Sequence, residues 1–278
     1  MFGVRLINIL NRLFPAPKHP FNLELAGRMS YGEWQYSQAP AALEQFRDFI
    51  APDAIIKDAR VLDLGSGGGG KTTYYATLGP QHIWGIDIHR HYEAQARALS
   101  RAKGVDSRVT FDTSDGRHLP FDDRFFDVII MNDTFEHLSD AAQVLEECAR
   151  ILRVSGRLYI NFPPYHHPHG AHLTDVIGIP WVHLFASERT LARCYHQLIA
   201  DLPDYEERKR LKLDPEGGQL PYLNRMTTRR FQSLVGQSPF RLLHYHEEPL
   251  RPFLAPLARI PGLKEAFIRM VVAVLVPR

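Results

Sequence analysis

The chain has 278 residues, enough for one large domain or for one domain with a sizeable insertion. Hydrophobic residues make up 45% of it and 33 basic side chains balance 31 acidic ones, so no charge excess favours binding to nucleic acid. Its two cysteines, Cys148 and Cys194, are too few for a disulfide framework and predict a reducing, cytoplasmic location.

The N-terminal segment, residues 1–58, is predicted to be helical. A helix over Met1–Phe14 would place apolar and polar side chains on opposite sides: Leu6, Leu10, Leu13 and Phe14 against Arg5, Asn8 and Arg12. We expect this helix to pack on its own domain; contact of residues 1–14 with a membrane surface or a lipid substrate is the alternative. The sequence has no apolar run of the ~20 residues that a membrane-spanning helix needs, and no signal peptide is expected.

The middle of the chain alternates strand-like and helix-like segments, which predicts an α/β fold with a largely parallel sheet. The predicted strands are Arg60–Leu64, His82–Ile88, Arg108–Asp112, Phe126–Met131 and Arg157–Phe162. The predicted helices are Lys71–Leu78, His91–Ala102 and Ala141–Leu152. Ser155 and Gly156 are expected to form a break between the helix Ala141–Leu152 and the fifth strand.

After this strand the pattern changes. Residues 163–225 carry prolines, histidines, aromatics and a charged helix-like stretch at Asp204–Lys212. A stretch this long inside a compact domain is not expected to be bare loop, so we predict a helical insertion. The regular pattern resumes with a helix and two strands: Thr228–Val235, Phe240–His246 and Phe267–Leu275. We therefore expect one main domain over residues 59–278, with residues 163–225 as a cap over the substrate.

The glycine-rich turn within residues 61–72 matches three ligand-binding templates. The phosphate-binding P-loop, G-x-x-x-x-G-K-[ST], is matched by Gly65, Gly70, Lys71 and Thr72. The dinucleotide fingerprint, G-x-G-x-x-G with an acid about 20 residues further on, is matched by Gly65, Gly67, Gly70 and Asp87.

The third template is an acid followed by alternating glycines, Asp63-Leu64-Gly65-Ser66-Gly67-Gly68-Gly69. A carboxylate beside the turn would repel the pyrophosphate of a nucleotide. It tolerates S-adenosyl-L-methionine, which has no phosphate and carries a sulfonium and an ammonium. The acid therefore favours S-adenosylmethionine over the two nucleotide interpretations.

Five further segments, in this order, support that choice. They are Gly85–Ile88, Thr113–Gly116, Leu119–Ile129, Asn132–Leu138 and Arg150–Leu158. Together with the glycine turn they make the region from about Arg60 to Phe162 resemble the class I S-adenosylmethionine-dependent methyltransferases, in particular the type 11-like small-molecule group. The resemblance implies a Rossmann-like sheet of seven mostly parallel strands, the last antiparallel, with helices on both faces and residues 1–58 closing over the cofactor.

The resemblance also implies a cofactor site for S-adenosyl-L-methionine, which leaves as S-adenosyl-L-homocysteine. Asp87 would accept hydrogen bonds from both ribose hydroxyls, Asp115 would meet the adenine amino group, and Asn132 would line the methionine moiety. The full set is Asp63, Gly65, Ser66, Gly67, Gly69, Asp87, Ile88, Asp115, Gly116 and Asn132. Simpler roles stay open for four of them: turn acids for Asp87 and Asp115, a loop brace for Asp63, and a strand end for Asn132.

Methyl transfer to a hydroxyl needs a base near neutral pKa, for which histidine is suited. The candidates are His137, which follows Glu136 in the segment after the fourth strand, and His169 and His172 in the histidine cluster after the fifth. That cluster, Tyr165–His172, stands at the carboxyl end of the sheet, where substrates of open α/β folds bind. A polar loop without a catalytic role is the alternative for it.

No metal is expected. Asp133, Glu136 and His137 have a D-x-x-E-H spacing that resembles the metal-binding segment of quinone-pathway O-methyltransferases, but many relatives with the Glu-His pair use none. Asn161–Tyr165 is similar to the Asn-Pro-Pro-Tyr signature of nucleic-acid base methyltransferases, yet it follows the wrong strand, so no nucleic acid partner is expected.

The sequence thus predicts an enzyme that transfers a methyl group from S-adenosylmethionine to an oxygen, ahead of a nitrogen or carbon, of a small metabolite. A sugar, a polyketide-like compound or a lipid would suit the aromatic, histidine-bearing insertion. The alternatives are a P-loop NTPase, based on the turn and Lys71, and a non-catalytic cofactor-binding module.

Overall fold

A computed structural model describes residues 3–15, 18–221 and 223–278. The first two residues of the predicted N-terminal helix lie outside this range. The helices are α1 (Val4–Asn11), α2 (Pro20–Leu25), α3 (Tyr31–Glu44), α4 (Gly70–Ala76), α5 (Tyr92–Ala102), α6 (Ala141–Ile151), α7 (Val182–Phe185), α8 (Glu188–Ile199), α9 (Tyr205–Lys212) and α10 (Thr228–Gln237). The strands are β1 (Arg60–Leu64), β2 (His82–Asp87), β3 (Val109–Thr113), β4 (Phe126–Asn132), β5 (Leu152–Phe162), β6 (Phe240–Pro249) and β7 (Ile268–Pro277).

The seven strands form one sheet in the order β3-β2-β1-β4-β5-β7-β6. β1 to β5 run parallel to one another, whereas β7 runs antiparallel to both β5 and β6. The predicted mostly parallel seven-stranded sheet, antiparallel at its last strand, is confirmed. The strand order reverses between β1 and β4, and ligands of open α/β sheets bind at the carboxyl ends of the strands at such a point.

Helices cover both faces of the sheet because the central strands are apolar on both sides. On one face Leu62 and Ile129 belong to a core that includes α6 and α10. On the other face Val61 and Ile130 belong to a second core with α3, α4 and α5. Successive residues of β1 and β4 thus supply alternate cores, which explains why β4 reads as a continuous hydrophobic run.

The fifth strand begins earlier than predicted. It starts at Leu152, and the break expected at Ser155 and Gly156 is wrong. The ladder to β4 instead shifts register, since Phe126 pairs with Leu152 and Val128 with Arg157. The extra residues are accommodated as a bulge, so the turn-forming pair distorts the strand without ending it.

Helix α1 packs against α8 of the insertion. Its buried residue is Ile7, flanked by partly buried Val4 and Leu10. The predicted division of its faces is wrong, because Leu6, Leu13 and Phe14 are exposed. The stripe at positions 4, 7 and 10, one helical turn apart, is the one that meets α8. Within the described ranges, no helix is long and apolar enough to cross a membrane.

Residues 163–225 between β5 and α10 contain α7, α8 and α9, which confirms a helical insertion after strand five. A buried ion cluster holds it together. The Asp175 carboxylate accepts from the Arg208 guanidinium at 2.9 Å, the Lys212 ammonium at 2.9 Å and the Tyr195 hydroxyl at 2.7 Å. Asn22 joins the cluster to the N-terminal segment, because its amide donates to the Asp175 carbonyl and accepts from Arg208. The division into an N-terminal cover and a cap stays a prediction.

Burial by itself would raise the pKa of Asp175, but the charge of Lys212 and the hydrogen bonds from Tyr195 and Lys212 outweigh it and lower the pKa to about 2. Because an unfolded aspartate titrates near ~3.9, ionised Asp175 stabilises the fold above about pH 4. This stabilisation is lost as the pH falls through about 2.

We expect Asp175→Asn to lower the free energy of unfolding at pH 7 by about 3–5 kcal/mol, because it leaves two buried cations without their shared anion. Urea denaturation followed by circular dichroism measures this. Glu93→Gln, which removes an exposed partner of Arg97, is the control and should change stability by less than ~0.5 kcal/mol. Curves for Asp175→Asn and wild type that stay equally far apart between pH 4 and pH 2 would contradict the role given to this carboxylate.

Candidate cofactor and substrate site

The predicted cofactor residues come together because the ends of β1, β2 and β3 lie side by side. The backbone N–H groups of Gly65 and Ser66 donate to the carbonyl of Ile86 at 2.7 and 3.0 Å. Ser114 N–H donates to the carbonyl of Asp87 at 3.1 Å. The turn after β1 therefore touches the end of β2, and the turn after β3 touches it from the other side.

The glycine turn needs its glycines. Gly65, Gly67 and Gly69 all have positive φ, and Gly69 is the N-cap of α4. At Gly65 a Cβ would overlap the side chain of Thr134 after β4. Only glycine adopts this conformation and permits this approach without strain. The result is a short backbone turn at the switch point of the sheet.

Asp63 is buried at the carboxyl end of β1, where its carboxylate accepts from the Thr72 hydroxyl at 2.5 Å. Burial raises its pKa to about 6, against the hydrogen bond from Thr72 and the charge of Lys71. The carboxylate thus joins β1 to α4 beneath the turn. This contact fits the loop-brace interpretation of Asp63 better than a ligand contact.

Lys71 and Thr72, the residues that a P-loop would direct at phosphate and magnesium, are engaged inside the protein. The Lys71 ammonium donates to the Asp133 carboxylate at 2.7 Å, and the lysine side chain is only 8% exposed. The Thr72 hydroxyl donates a hydrogen bond to the Asp63 carboxylate. Their contacts disfavour the phosphate interpretation.

Asp87 is the last residue of β2, and Asp115 lies in the turn after β3. The Asp87 oxygens accept from the N–H groups of Gly67 and His89, both at 2.8 Å. Ile88 beside it is 61% exposed. The carboxylate of Asp115 accepts from the Arg117 side chain at 2.5 and 2.9 Å, which lowers its pKa. Gly116 follows with positive φ.

Asn132 is buried at the end of β4. Its amide N–H donates to the Tyr75 hydroxyl of α4 at 2.8 Å. Its amide oxygen is buried and has no hydrogen-bond partner. Since a buried polar atom without a partner costs free energy, this oxygen is suited to accept from a ligand.

The N-terminal helix α3 lies directly on the glycine turn, a contact that the sequence analysis missed. A Cβ at Gly32 would lie 2.7 Å from the Gly68 carbonyl oxygen, so the two backbones are in close contact. Gln35 accepts from Gly70 N–H at 3.4 Å, and the half-buried Tyr31 lies beside Gly67. The sequence carries one indication of this contact: a glycine, Gly32, in the first turn of a helix that the capping box of Ser30 and Glu33 begins.

The structure brings two of the three candidate catalytic histidines together. The rings of His137 and His172 meet edge to face with centroids 4.9 Å apart, next to Glu136. His169 does not join them, and its ring neighbours His167. Burial and the nearby His137 lower the pKa of His172 well below its usual value, whereas burial and Asp133 raise that of Glu136 well above.

A mostly parallel sheet with this switch point, a glycine turn after β1 and acids at the ends of β2 and β3 define a Rossmann-like fold, whose ligands bind at this edge of the sheet. Comparison with known proteins adds the type of domain. A family profile described as a methyltransferase domain matches residues 62–160.

Two curated relatives and one solved structure are informative. Methyltransferase GfsG of Streptomyces halstedii is 38% identical over 101 residues, which cover 36% of each chain. The 27-O-demethylrifamycin SV methyltransferase of Amycolatopsis mediterranei is 34% identical over 102 residues, 37% of this chain and 38% of that protein. A putative sarcosine dimethylglycine methyltransferase from Galdieria sulphuraria shares the fold, with TM-score 0.57, 16% identity and coverage of 92% and 96%.

Residues 62–160 thus match a methyltransferase domain, and the curated proteins similar to this chain are methyltransferases. The alignments span little more than a third of the length of these relatives. The match to the family profile runs from β1 to β5 and so contains the glycine turn and the strand ends described above, but not the N-terminal helices or the insertion.

Asp63 yields a pH-dependent prediction. Since its pKa is raised in the folded protein, its favourable contribution is present below about pH 4 and is lost as the pH rises through about 6. Two pKa units correspond to roughly 3 kcal/mol. We expect Asp63→Asn, which keeps an acceptor for Thr72, to gain ~2–3 kcal/mol relative to wild type between pH 4 and pH 7.

Urea unfolding at several pH values measures this difference, and Asp122→Asn, at an exposed acid, controls for the loss of one surface charge. A difference between Asp63→Asn and wild type that is the same at both pH values would show that Asp63 is not a buried, destabilised carboxylate.

Proposed function

We propose that the protein transfers a methyl group from S-adenosyl-L-methionine to an oxygen of a small-molecule acceptor. The observation that carries this proposal is the glycine turn at the sheet's switch point, flanked by the acids of β2 and β3, with Lys71 and Thr72 engaged in internal contacts. A phosphate ligand would need those two side chains, whereas S-adenosylmethionine needs neither.

The residues present fit this cofactor. The turn offers backbone without Cβ atoms, and Asn132 offers a buried amide oxygen that lacks a partner. We assign Asp87 to the ribose hydroxyls, with exposed Ile88 against the adenine, and Asp115 to the adenine amino group. Bound S-adenosylmethionine supplies a methyl group on a sulfonium, and the protein has to align the acceptor with it and exclude water.

The contact between α3 and the turn supports the predicted cover over the cofactor. Gly32, Gln35 and Tyr31 already lie on Gly67–Gly70 in this structure. We infer that α3 closes the cofactor site from the N-terminal side and must yield to admit the ligand. Water exclusion by such a cover is what methyl transfer from a sulfonium requires.

The acceptor is proposed to bind beneath the insertion, beside the segment after β4. His137 and His172 contact each other in this region and His169 follows β5, which supports the proposal that the three candidate bases face the acceptor. An oxygen acceptor is favoured over nitrogen or carbon because histidines suit proton removal from a hydroxyl. A relative acting on a rifamycin derivative makes a polyketide-like acceptor a reasonable first test, ahead of sugars and lipids.

Contact of residues 1–14 with a membrane surface stays a prediction of the sequence, and so does a cytoplasmic location. Docking of α1 on α8 already accounts for its buried stripe. A non-catalytic binding module remains the second hypothesis from the sequence; it would bind cofactor and product equally but release no methylated acceptor.

Calorimetric titration of the purified chain tests the proposal, using S-adenosylhomocysteine, ATP with magnesium, and NAD separately. We expect saturable binding of S-adenosylhomocysteine alone. Asp87→Ala should weaken it at least ~10-fold, because a charged acceptor of two hydrogen bonds is lost. Lys71→Met should leave it within about threefold, because Thr72 and Tyr75 still attach α4 to β1 and β4. Asp112→Ala on β3 is the matched surface control.

Tight ATP-magnesium binding that Lys71→Met abolishes, with no response to S-adenosylhomocysteine, would falsify the methyltransferase proposal. The turn would then be a phosphate cradle despite the contacts of Lys71 and Thr72.

A further inference from the structure

Three potential metal ligands come together beneath the insertion. Glu136 and His137 lie in a short 3-10 turn after β4, and His172 reaches them from the insertion, 35 positions further along the chain. One ligand atom from each lies within 4.8 Å of the other two. The His137 Nε2 atom is 3.9 Å from the nearer Glu136 carboxylate oxygen, too far for a hydrogen bond.

Glu136 is the unusual member. Its side chain is 4% exposed, and neither carboxylate oxygen has a hydrogen-bond partner. A buried carboxyl group without a partner costs several kcal/mol, so native proteins pair such groups or use them to coordinate metals. The structure keeps this carboxyl group buried against two imidazoles.

Lys71, a buried lysine close to this segment, does not pair with Glu136. Lys71 donates to Asp133, whose carboxylate is half-exposed. Asp133 and Glu136 thus bring two acids to one lysine, and the lysine is engaged by the outer one. A bound cation at Glu136 would allow this buried carboxyl group to ionise.

The backbone holds His172 in place for such a role. His172 has φ 51, in the left-handed region that non-glycine residues seldom occupy. Its carbonyl accepts from the Lys212 ammonium at 2.5 Å, and the same ammonium binds Asp175 at 2.9 Å. The buried ion cluster of the insertion therefore fixes the backbone from which the His172 ring reaches Glu136 and His137.

We propose that Glu136, His137 and His172 bind a divalent transition-metal ion. Two imidazole nitrogens and one carboxylate oxygen suit Zn²⁺, Mn²⁺ or Fe²⁺, whereas Mg²⁺ prefers oxygen ligands alone. Three protein ligands leave coordination positions open. With the ion bound, His137 and His172 are ligands, which leaves His169 as the candidate base. That the open positions receive an oxygen of the acceptor rests on the proposed function; the ion site itself does not.

The test is calorimetric titration of the full-length, chelator-treated protein with ZnCl₂, MnCl₂ and MgCl₂, without cofactor. We expect one saturable site for Zn²⁺, weaker binding of Mn²⁺, and Mg²⁺ weakest. Loss of residues that merely orient metal ligands costs 10–100-fold in affinity, so loss of a ligand itself should cost roughly 100-fold or more. Glu136→Gln and His172→Ala are the variants, and His246→Ala, at an exposed histidine of β6, is the matched control.

Stability supplies an independent measurement. Glu136→Gln removes a carboxyl group that has no partner, so without metal its melting temperature should equal or exceed that of wild type. Zn²⁺ should raise the melting temperature of wild type and of His246→Ala, but not of Glu136→Gln. If His172→Ala fails to fold, the visible absorption of Co²⁺ added to wild type and to Glu136→Gln gives the same comparison.

Absence of saturable Zn²⁺ binding, or equal loss of affinity in His246→Ala, overturns the proposal. Tighter binding of Mg²⁺ than of Zn²⁺ also overturns it, because a preference for Mg²⁺ would mean that oxygen atoms and not the two imidazoles bind the ion. The metal titration contains no cofactor, so its outcome is independent of the proposed function. A chain that binds Zn²⁺ but not S-adenosylhomocysteine has the metal site and lacks the proposed function. A chain that binds S-adenosylhomocysteine but not Zn²⁺ lacks the metal site and keeps the proposed function.

Discussion

The site depends on the attachment of one short helix, α4, to the ends of two strands. Thr72 donates to Asp63 on β1, Tyr75 accepts from Asn132 on β4, and Lys71 binds Asp133 just beyond β4. Lys71 and Thr72 both lie on the same side of α4 as Tyr75, since residues three and four positions apart are neighbours on a helix. These contacts fix the start of α4, and therefore the glycine turn that leads into it, at the switch point of the sheet.

The same attachment explains why the sequence matches the P-loop template although the side chains of Lys71 and Thr72 are not free to bind phosphate. A P-loop and this turn share a strand, a glycine-rich bend and a helix beginning with Lys and Thr. The template determines the backbone positions of Lys71 and Thr72, but not the partners of their side chains. Asp63 and Asp133 decide that, and an acid at each strand end directs both polar groups toward the protein and away from the turn.

Sequence patterns predicted what depends on local periodicity. β1 is predicted at Arg60–Leu64, where the structure has it, and the strand number and direction implied by the resemblance are confirmed. Errors occurred where tertiary packing overrides a local signal. Ser155 and Gly156 form a bulge because β4 continues to pair on either side of them.

Contacts between distant segments could not be predicted in this way. Nothing in the spacing of His172 shows that it meets Glu136 and His137, because the contact needs a left-handed backbone and a lysine forty residues further on. The approach of Gly32 to Gly68 likewise joins two segments whose separate patterns indicate only a helix and a turn.

Lys212 connects the stability of the insertion with the geometry of the histidine pair. Its ammonium donates to the His172 carbonyl and to Asp175, so the charge that holds the insertion together also positions a ring over Glu136. The match to the family profile ends at residue 160, so the insertion lies outside the matched domain. A change in the ion cluster would therefore alter the acceptor side while leaving the glycine turn and its strand-end acids in place. The cofactor side and the acceptor side of the site thus have separate structural supports, the first in the sheet and α4, the second in the insertion.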